Sequence, residues 1–149
     1  MTGIKFKRVE GNTDLPLPGY ATSGAAGMDL RAFLPEGAVT LTRGQFQMFS
    51  TGFHVELPPG TEMQVRPRSG LALKHGIILP NSPGTIDEDY RGVVMCGLYN
   101  LGQADFTISH GDRIAQAVIA HVHRYPTVEV AELSDSERGA GGFGSTGIK

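Results

Sequence analysis

Phe53-His54-Val55-Glu56-Leu57-Pro58-Pro59-Gly60-Thr61-Glu62-Met63-Gln64-Val65-Arg66 is the stretch on which the fold turns. Phe53, Val55 and Leu57 alternate with His54 and Glu56; Met63 and Val65 alternate with Glu62, Gln64 and Arg66. A repeat of two puts one side of a strand on a core and the other in water, where a helix would repeat at three to four. Pro58-Pro59-Gly60 between the runs is a turn signal. The pattern continues outward: Phe106 and Ile108 alternate with Asp105, Thr107 and Ser109. Further turn signals stand at Pro35-Glu36-Gly37, Arg43-Gly44, Leu101-Gly102 and His110-Gly111-Asp112. Many short strands with closely spaced turns predict an all-β antiparallel sandwich, jelly roll or barrel.

Composition agrees. The 21 glycines and 9 prolines in 149 residues are too many for a helical bundle, because both residues are costly inside helices. The length suits a single domain, and neither a repeat nor a linker divides it. One cysteine cannot form an internal disulfide, which points to a reducing compartment such as the cytoplasm. Met1 to Glu10 carries Lys5, Lys7 and Arg8 and lacks the apolar stretch of a signal peptide. No apolar run approaches the roughly 20 residues that span a bilayer, so no membrane partner is expected. A net charge of −2 argues against nucleic acid as a partner.

Three segments break the strand pattern. Pro67-Arg68-Ser69-Gly70-Leu71-Ala72-Leu73-Lys74-His75-Gly76 reads as one short helix, with Ser69 as N-cap and Gly76 at the terminating position. Arg68 beside the free amides of its start makes either an anion pocket or a solvated arginine on an ordinary crossover helix. From Ser134 to Lys149 apolar periodicity is lost, and Arg138 to Gly147 is half glycine. That composition suits a disordered terminus. Taken with the Arg68 pocket it favours a second phosphate grip, since glycines let amides converge, Arg138 supplies charge and Ser145 and Thr146 supply donors. The third segment, Leu79 to Gly92, holds Asp87, Glu88 and Asp89 among prolines and glycines and reads as a hairpin leading into the strand Val93 to Tyr99. Acids at a bend are commonly solvated, but a carboxylate that reaches water is also a general base.

With these segments in view, the chain resembles the trimeric deoxyuridine triphosphate nucleotidohydrolases (dUTPases) along nearly its whole length. Ala26-Gly27-Met28-Asp29-Leu30-Arg31-Ala32 is similar to the first of that family's five motifs, and Pro67 to Gly76 to the second. Gly84 to Gly92 resembles the third, Gly111-Asp112-Arg113-Ile114-Ala115-Gln116 the fourth, and Arg138 to Gly147 the fifth. The resemblance implies a distorted jelly-roll or β-clip barrel over residues 1–133, one short helix near 69–75, and a flexible glycine-rich arm over 134–149 that closes on the site. It also implies a homotrimer with sites at subunit interfaces, dUTP as substrate, and Mg²⁺ as cofactor. The expected reaction splits dUTP into dUMP and pyrophosphate, which keeps uracil out of DNA and supplies dUMP for dTMP synthesis.

Residue by residue, the resemblance makes Asp87 the base for the water that attacks the α-phosphorus. Asn81 and the backbone of Thr85, Ile86 and Asp87 would read the uracil edge, with Met95 lining that pocket. Tyr90 would pack under the deoxyribose. Arg68, Ser69, Gly70 and Gln116 would hold phosphates. Arg138, Ser145 and Thr146 would close on the terminal phosphate, with Phe143 over the uracil and Gly144 beside it. Asp29 would touch magnesium through water. The physical demands fit, because phosphoanhydride hydrolysis needs positioning and charge more than covalent chemistry.

Two other candidates are weaker. His121 and His123 share a strand face and would bind metal only with a third ligand; otherwise they decorate the surface. Cys96 lies in an apolar strand and reads as a buried thiol rather than a nucleophile. Two other functions compete. A dCTP deaminase shares the fold but wants a glutamate-centred site, and a non-catalytic trimeric β module has no need of Asp87 beside phosphate grips.

Overall fold

The computed structural model describes residues 3–142. Its ten strands are β1 (Lys5–Arg8), β2 (Gly27–Arg31), β3 (Val39–Leu41), β4 (Phe46–Glu56), β5 (Thr61–Arg66), β6 (Ile77–Ile78), β7 (Gly84–Ile86), β8 (Val93–Asn100), β9 (Phe106–Ile108) and β10 (Arg113–His121). The one helix among the described residues, α1, covers Ser69–His75 and is too short to cross a membrane. The order β1-β4-β8-β6 makes one sheet, β2-β10-β5-β7 the second, and β3-β9 a two-stranded ribbon. All pairings are antiparallel. This is the expected all-β architecture, of jelly-roll type.

The period-two runs bury the side their spacing assigns. Phe53 and Val55 on β4, and Met63 and Val65 on β5, are all buried, as is Leu57 just beyond β4. Val55, Leu57, Met63 and Val65 belong to one cluster that also takes Met28 and Leu30 from β2, Val94, Cys96 and Leu98 from β8, and Ala115 and Ala117 from β10. Both large sheets therefore share a single core. Burying each large aliphatic side chain contributes roughly 1.5–3 kcal/mol.

Two local expectations are corrected. Residues 79–92 do not form a hairpin with the strand that follows. β7 pairs with β5, Gly84 opposite Val65 and Ile86 opposite Met63, while β8 pairs with β4 and β6. The segment after β7 crosses from one sheet to the other, as does Pro58-Pro59-Gly60 between β4 and β5. The helix cap also shifts by one. Arg68, extended at φ −88° and ψ 130°, is the N-cap and makes no side-chain cap bond; Ser69 is already helical. Gly76 ends the helix as expected, left-handed at φ 68°, its N–H on Ala72 O at 3.0 Å.

Candidate functional site

The proposed site residues before Arg138 fall into two clusters. The first surrounds Arg68. On β10, Gln116 lies opposite Asp29 of β2 on one side and Arg66 of β5 on the other. Three neighbouring strands thus bring Asp29, Gln116 and the Pro67-Arg68 corner together. Gln116 Nε2 donates to Pro67 O at 2.9 Å. Arg68 Nε meets Asp29 Oδ1 at 3.1 Å, and Arg68 Nη1 donates to Arg113 O at 3.2 Å. Arg113 Nη1 takes the other carboxylate oxygen of Asp29 at 3.4 Å. Arg68 is therefore held in one orientation by Asp29 and by the backbone of β10. Ser69 and Gly70 follow, exposed in the first helical turn, where amides have no partner within the helix. A Cβ at Gly70 would meet nothing within 4 Å.

The second cluster is an open cavity of about 230 Å³ lined by Thr85, Ile86, Asp87, Tyr90, Val93 and Met95. β7 forms its floor and is the edge strand of its sheet. One side of its backbone is bonded to β5, and among the described residues no strand pairs with the other. Asn81 packs at the start of that edge, its Nδ2 3.2 Å from where a Cβ on Gly84 would stand. Tyr90, one of the lining residues, donates its hydroxyl to Val93 O at 2.9 Å. The turn holding Asp87 is closed by Tyr90 N–H on Asp87 O at 3.1 Å. Asp87 itself is exposed.

The remaining candidates stand apart. Arg138 is exposed and donates Nε to Gly141 O at 2.8 Å, within its own turn. Phe143, Gly144, Ser145 and Thr146 lie outside the described residues. His121 and His123 border the outer side of the Asp87 turn with Glu62 and Arg124. Cys96 is buried, and burial pushes its thiol up to about 12. Sequence reading missed three participants. Val93 shares Met95's face two residues away on β8, so period two could have found it. Arg113 stands in a quoted motif, yet its bond to Asp29 spans β2 and β10. Glu88 accepts from Gly60 N–H at 2.7 Å and pairs with Arg124 at 3.3 Å, and no local pattern marks either partner.

Comparison with known proteins bears on this geometry. The dUTPase family model matches residues 13–147. The deoxyuridine 5'-triphosphate nucleotidohydrolase of Caulobacter vibrioides is 62% identical over 146 residues, covering 97% of this chain and 94% of the relative. That of Caldanaerobacter subterraneus subsp. tengcongensis is 52% identical over 145 residues, 97% of each chain. In the solved structures, the Staphylococcus bacteriophage 80alpha dUTPase G164S mutant with dUpNHpp superposes with a TM-score of 0.87 at 23% identity. That match covers 99% of this chain and 100% of the other, a likeness of fold. A family match over nearly the whole sequence, and relatives this similar end to end, place the chain in the dUTPase family.

Proposed function

We propose that this dUTP diphosphatase takes the nucleoside half of each site from one chain and the phosphate half from another. The observation that carries the reading is the distance between the two clusters along β5. Ile86 lies opposite Met63, so Asp87 sits near Glu62, while Arg68 follows the other end of the strand. Six residues of extended chain cover about 20 Å. One α-phosphate cannot meet both a base and a grip that far apart. A second copy that sets its Arg68 cluster against the first chain's Asp87 turn removes the gap. Beyond β10, Tyr125 and Leu133 are 81% and 87% exposed, apolar surface that such an assembly would bury. The resemblance makes the closed symmetric assembly a homotrimer.

In that site the free edge of β7 bonds the uracil, and Tyr90 and Met95 wall the deoxyribose and base. A wrong exocyclic group would leave a buried donor or acceptor unpaired, at a cost of about 1–3 kcal/mol. Asp87 takes a proton from water as the water oxygen bonds the α-phosphorus. The bond from that phosphorus to the α,β-bridging oxygen breaks, and pyrophosphate leaves with the electron pair. Arg68, Gln116 and the amides of Ser69 and Gly70 hold the phosphates in line. The arm over residues 134–149 then closes, with Arg138, Ser145 and Thr146 on the terminal phosphate and Phe143 and Gly144 over the base. The buried, reduced Cys96 fits a cytoplasmic enzyme.

Magnesium is the cofactor the resemblance implies, and the donor set can be tested against it. Both oxygens of Asp29 are engaged by guanidinium groups. Among the described residues no three His, Cys, Asp or Glu side chains converge. Such a set cannot cage a bare cation, but it fits Mg²⁺ that arrives on the substrate's phosphates with its own waters, which Asp29 would meet from outside. When bound, the ion would spread the negative charge of the phosphates.

Mixing tests the shared site. Asp87→Asn should lose about 10²–10⁴-fold in turnover, and Arg68→Ala should lose phosphate binding. Chains of the two variants refolded together should release more pyrophosphate from dUTP than either alone, because some interfaces join an intact Asp87 to an intact Arg68. A mixture no better than its parts would place the whole site in one chain.

A further inference from the structure

Glu88 follows Asp87 directly and is held in the opposite way. Asp87 is exposed, and among the described residues its carboxylate takes part in no hydrogen bond or ion pair. Glu88 is half-buried, and one of its oxygens, Oε2, gathers three donors. Gly60 N–H reaches it at 2.7 Å, and Arg124 Nη1 and Nη2 at 3.3 and 3.4 Å. Gly60 is a firm anchor, since its carbonyl accepts Val122 N–H at 2.9 Å just past the end of β10. The backbone of the turn is stitched by Arg91, whose Nη1 donates to Glu88 O at 2.7 Å and Tyr90 O at 2.9 Å.

The strand that delivers Asp87 cannot fix it alone. β7 has three residues and a neighbour on one side only. Beyond Ile86 the chain leaves the ladder, and the first side chain to tie it down is Glu88. Hydrogen bonds to an ionised acceptor are about twice as strong as neutral ones. One carboxylate thus joins the Asp87 turn to the β4–β5 turn and to Arg124, just past the end of β10.

We propose that Glu88 is a positioning residue for Asp87, its carboxylate clamped by Gly60 and Arg124 so that the base is set in place. The inference rests on the reading of Asp87 as the base. A base must stand within hydrogen-bond reach of its water, and a misplacement near 1 Å costs up to about 10²-fold in rate.

The test is steady-state hydrolysis of dUTP by the full chain as Glu88→Ala, Glu88→Gln, Arg124→Ala, the double variant Glu88→Ala/Arg124→Ala, and Asp87→Asn. Glu88→Ala should lower kcat by about tenfold to a hundredfold while KM stays within about threefold, the mark of an interaction that serves the transition state. Glu88→Gln keeps an acceptor for Gly60 N–H and should recover much of the loss. Arg124→Ala should lower kcat less, and should add nothing on top of Glu88→Ala, because the two act as a unit. Wild-type kcat in Glu88→Ala, or a loss that falls on kcat and KM together without recovery in Glu88→Gln, overturns the clamp. If Glu88→Ala does not fold, the kcat and KM of Arg124→Ala, an exposed residue, decide by the same split. Full turnover in Asp87→Asn would overturn the base itself, an outcome distinct from any behaviour of Glu88.

Discussion

Gly92 lies so close beneath Tyr90 that a Cβ there would stand 2.2 Å from the tyrosine hydroxyl oxygen and 2.4 Å from the ring carbon bearing it. No side chain fits without driving the ring away and breaking its bond to Val93 O. The ring is the mobile partner, because it is the exposed far end of a side chain. If Tyr90 is the wall under the sugar, Gly92→Ala should weaken the rejection of a 2′-hydroxyl. A contact of this kind discriminates by roughly 10–200-fold. The ratio of kcat/KM for dUTP to that for UTP should therefore fall by about tenfold or more, through a gain on UTP as well as a loss on dUTP. An unchanged ratio would remove Tyr90 from sugar selection.

The strands were legible where one face meets the core and the other meets water. Phe53 to Leu57 and Met63 to Val65 show this directly. Their partners were not legible, because pairing is a contact between distant segments. Pro58-Pro59-Gly60 marks a turn, yet nothing local says that the chain changes sheet there. β7 has three residues, too few to show a period, and its neighbour is β5 rather than the strand that follows. The residues of the first four motifs do gather, but into two clusters whose separation only the register reveals. Glu88 is the clearest loss. In sequence it is one of three acids at a bend; what separates it from Asp87 is Gly60 and Arg124, the latter 36 residues away.

Cys96 offers a direct check on the packed core. Burial pushes its thiol from an ordinary 9.0 to about 12, so at pH 8 the thiolate fraction is about one in ten thousand. Iodoacetamide should leave the native protein unmodified for as long as it stays folded, and should label it promptly in denaturant. The folded-state value lies above the unfolded one. The stability it represents is therefore complete below the ordinary thiol value and is lost as pH rises towards 12. Cys96→Ala should show a shallower loss of stability than wild type above pH 9. Labelling of the native protein at pH 8 would contradict this burial.

Gly76 sets where the helix stops and so where the chain leaves the Arg68 corner. Its φ of 68° is left-handed, and a Cβ would stand 2.5 Å from Gly102 N and 2.6 Å from Gly102 Cα. The left-handed conformation costs about 1–2 kcal/mol for an L side chain. Forcing apart two backbones adds about 1–3 kcal/mol of overpacking. Both terms act together, since neither backbone is a flexible tip. At about 2–4 °C per kcal/mol for a domain of this size, Gly76→Ala should lower Tm by roughly 5–15 °C in a calorimetric scan. A loss under a degree would mean that the helix end moves freely against the loop after β8.

The Glu88 clamp should also show in acid. The Gly60 N–H holds this carboxyl below its ordinary value; burial opposes it, and Arg124 and then Arg91 add smaller lowering effects. A folded-state value lower than the unfolded one means that the unfolded chain binds the proton first. The contribution is therefore complete above the ordinary glutamate range and is lost as pH falls through the lowered value. Glu88→Gln has no such proton to bind. The gap in urea midpoint between wild type and Glu88→Gln should be widest near neutral pH and close as the medium is taken below pH 4, with Arg124→Ala showing a smaller version of the same curve. A gap that stays constant into acid would mean that the glutamine differs by packing alone and that the carboxylate charge does not hold the turn.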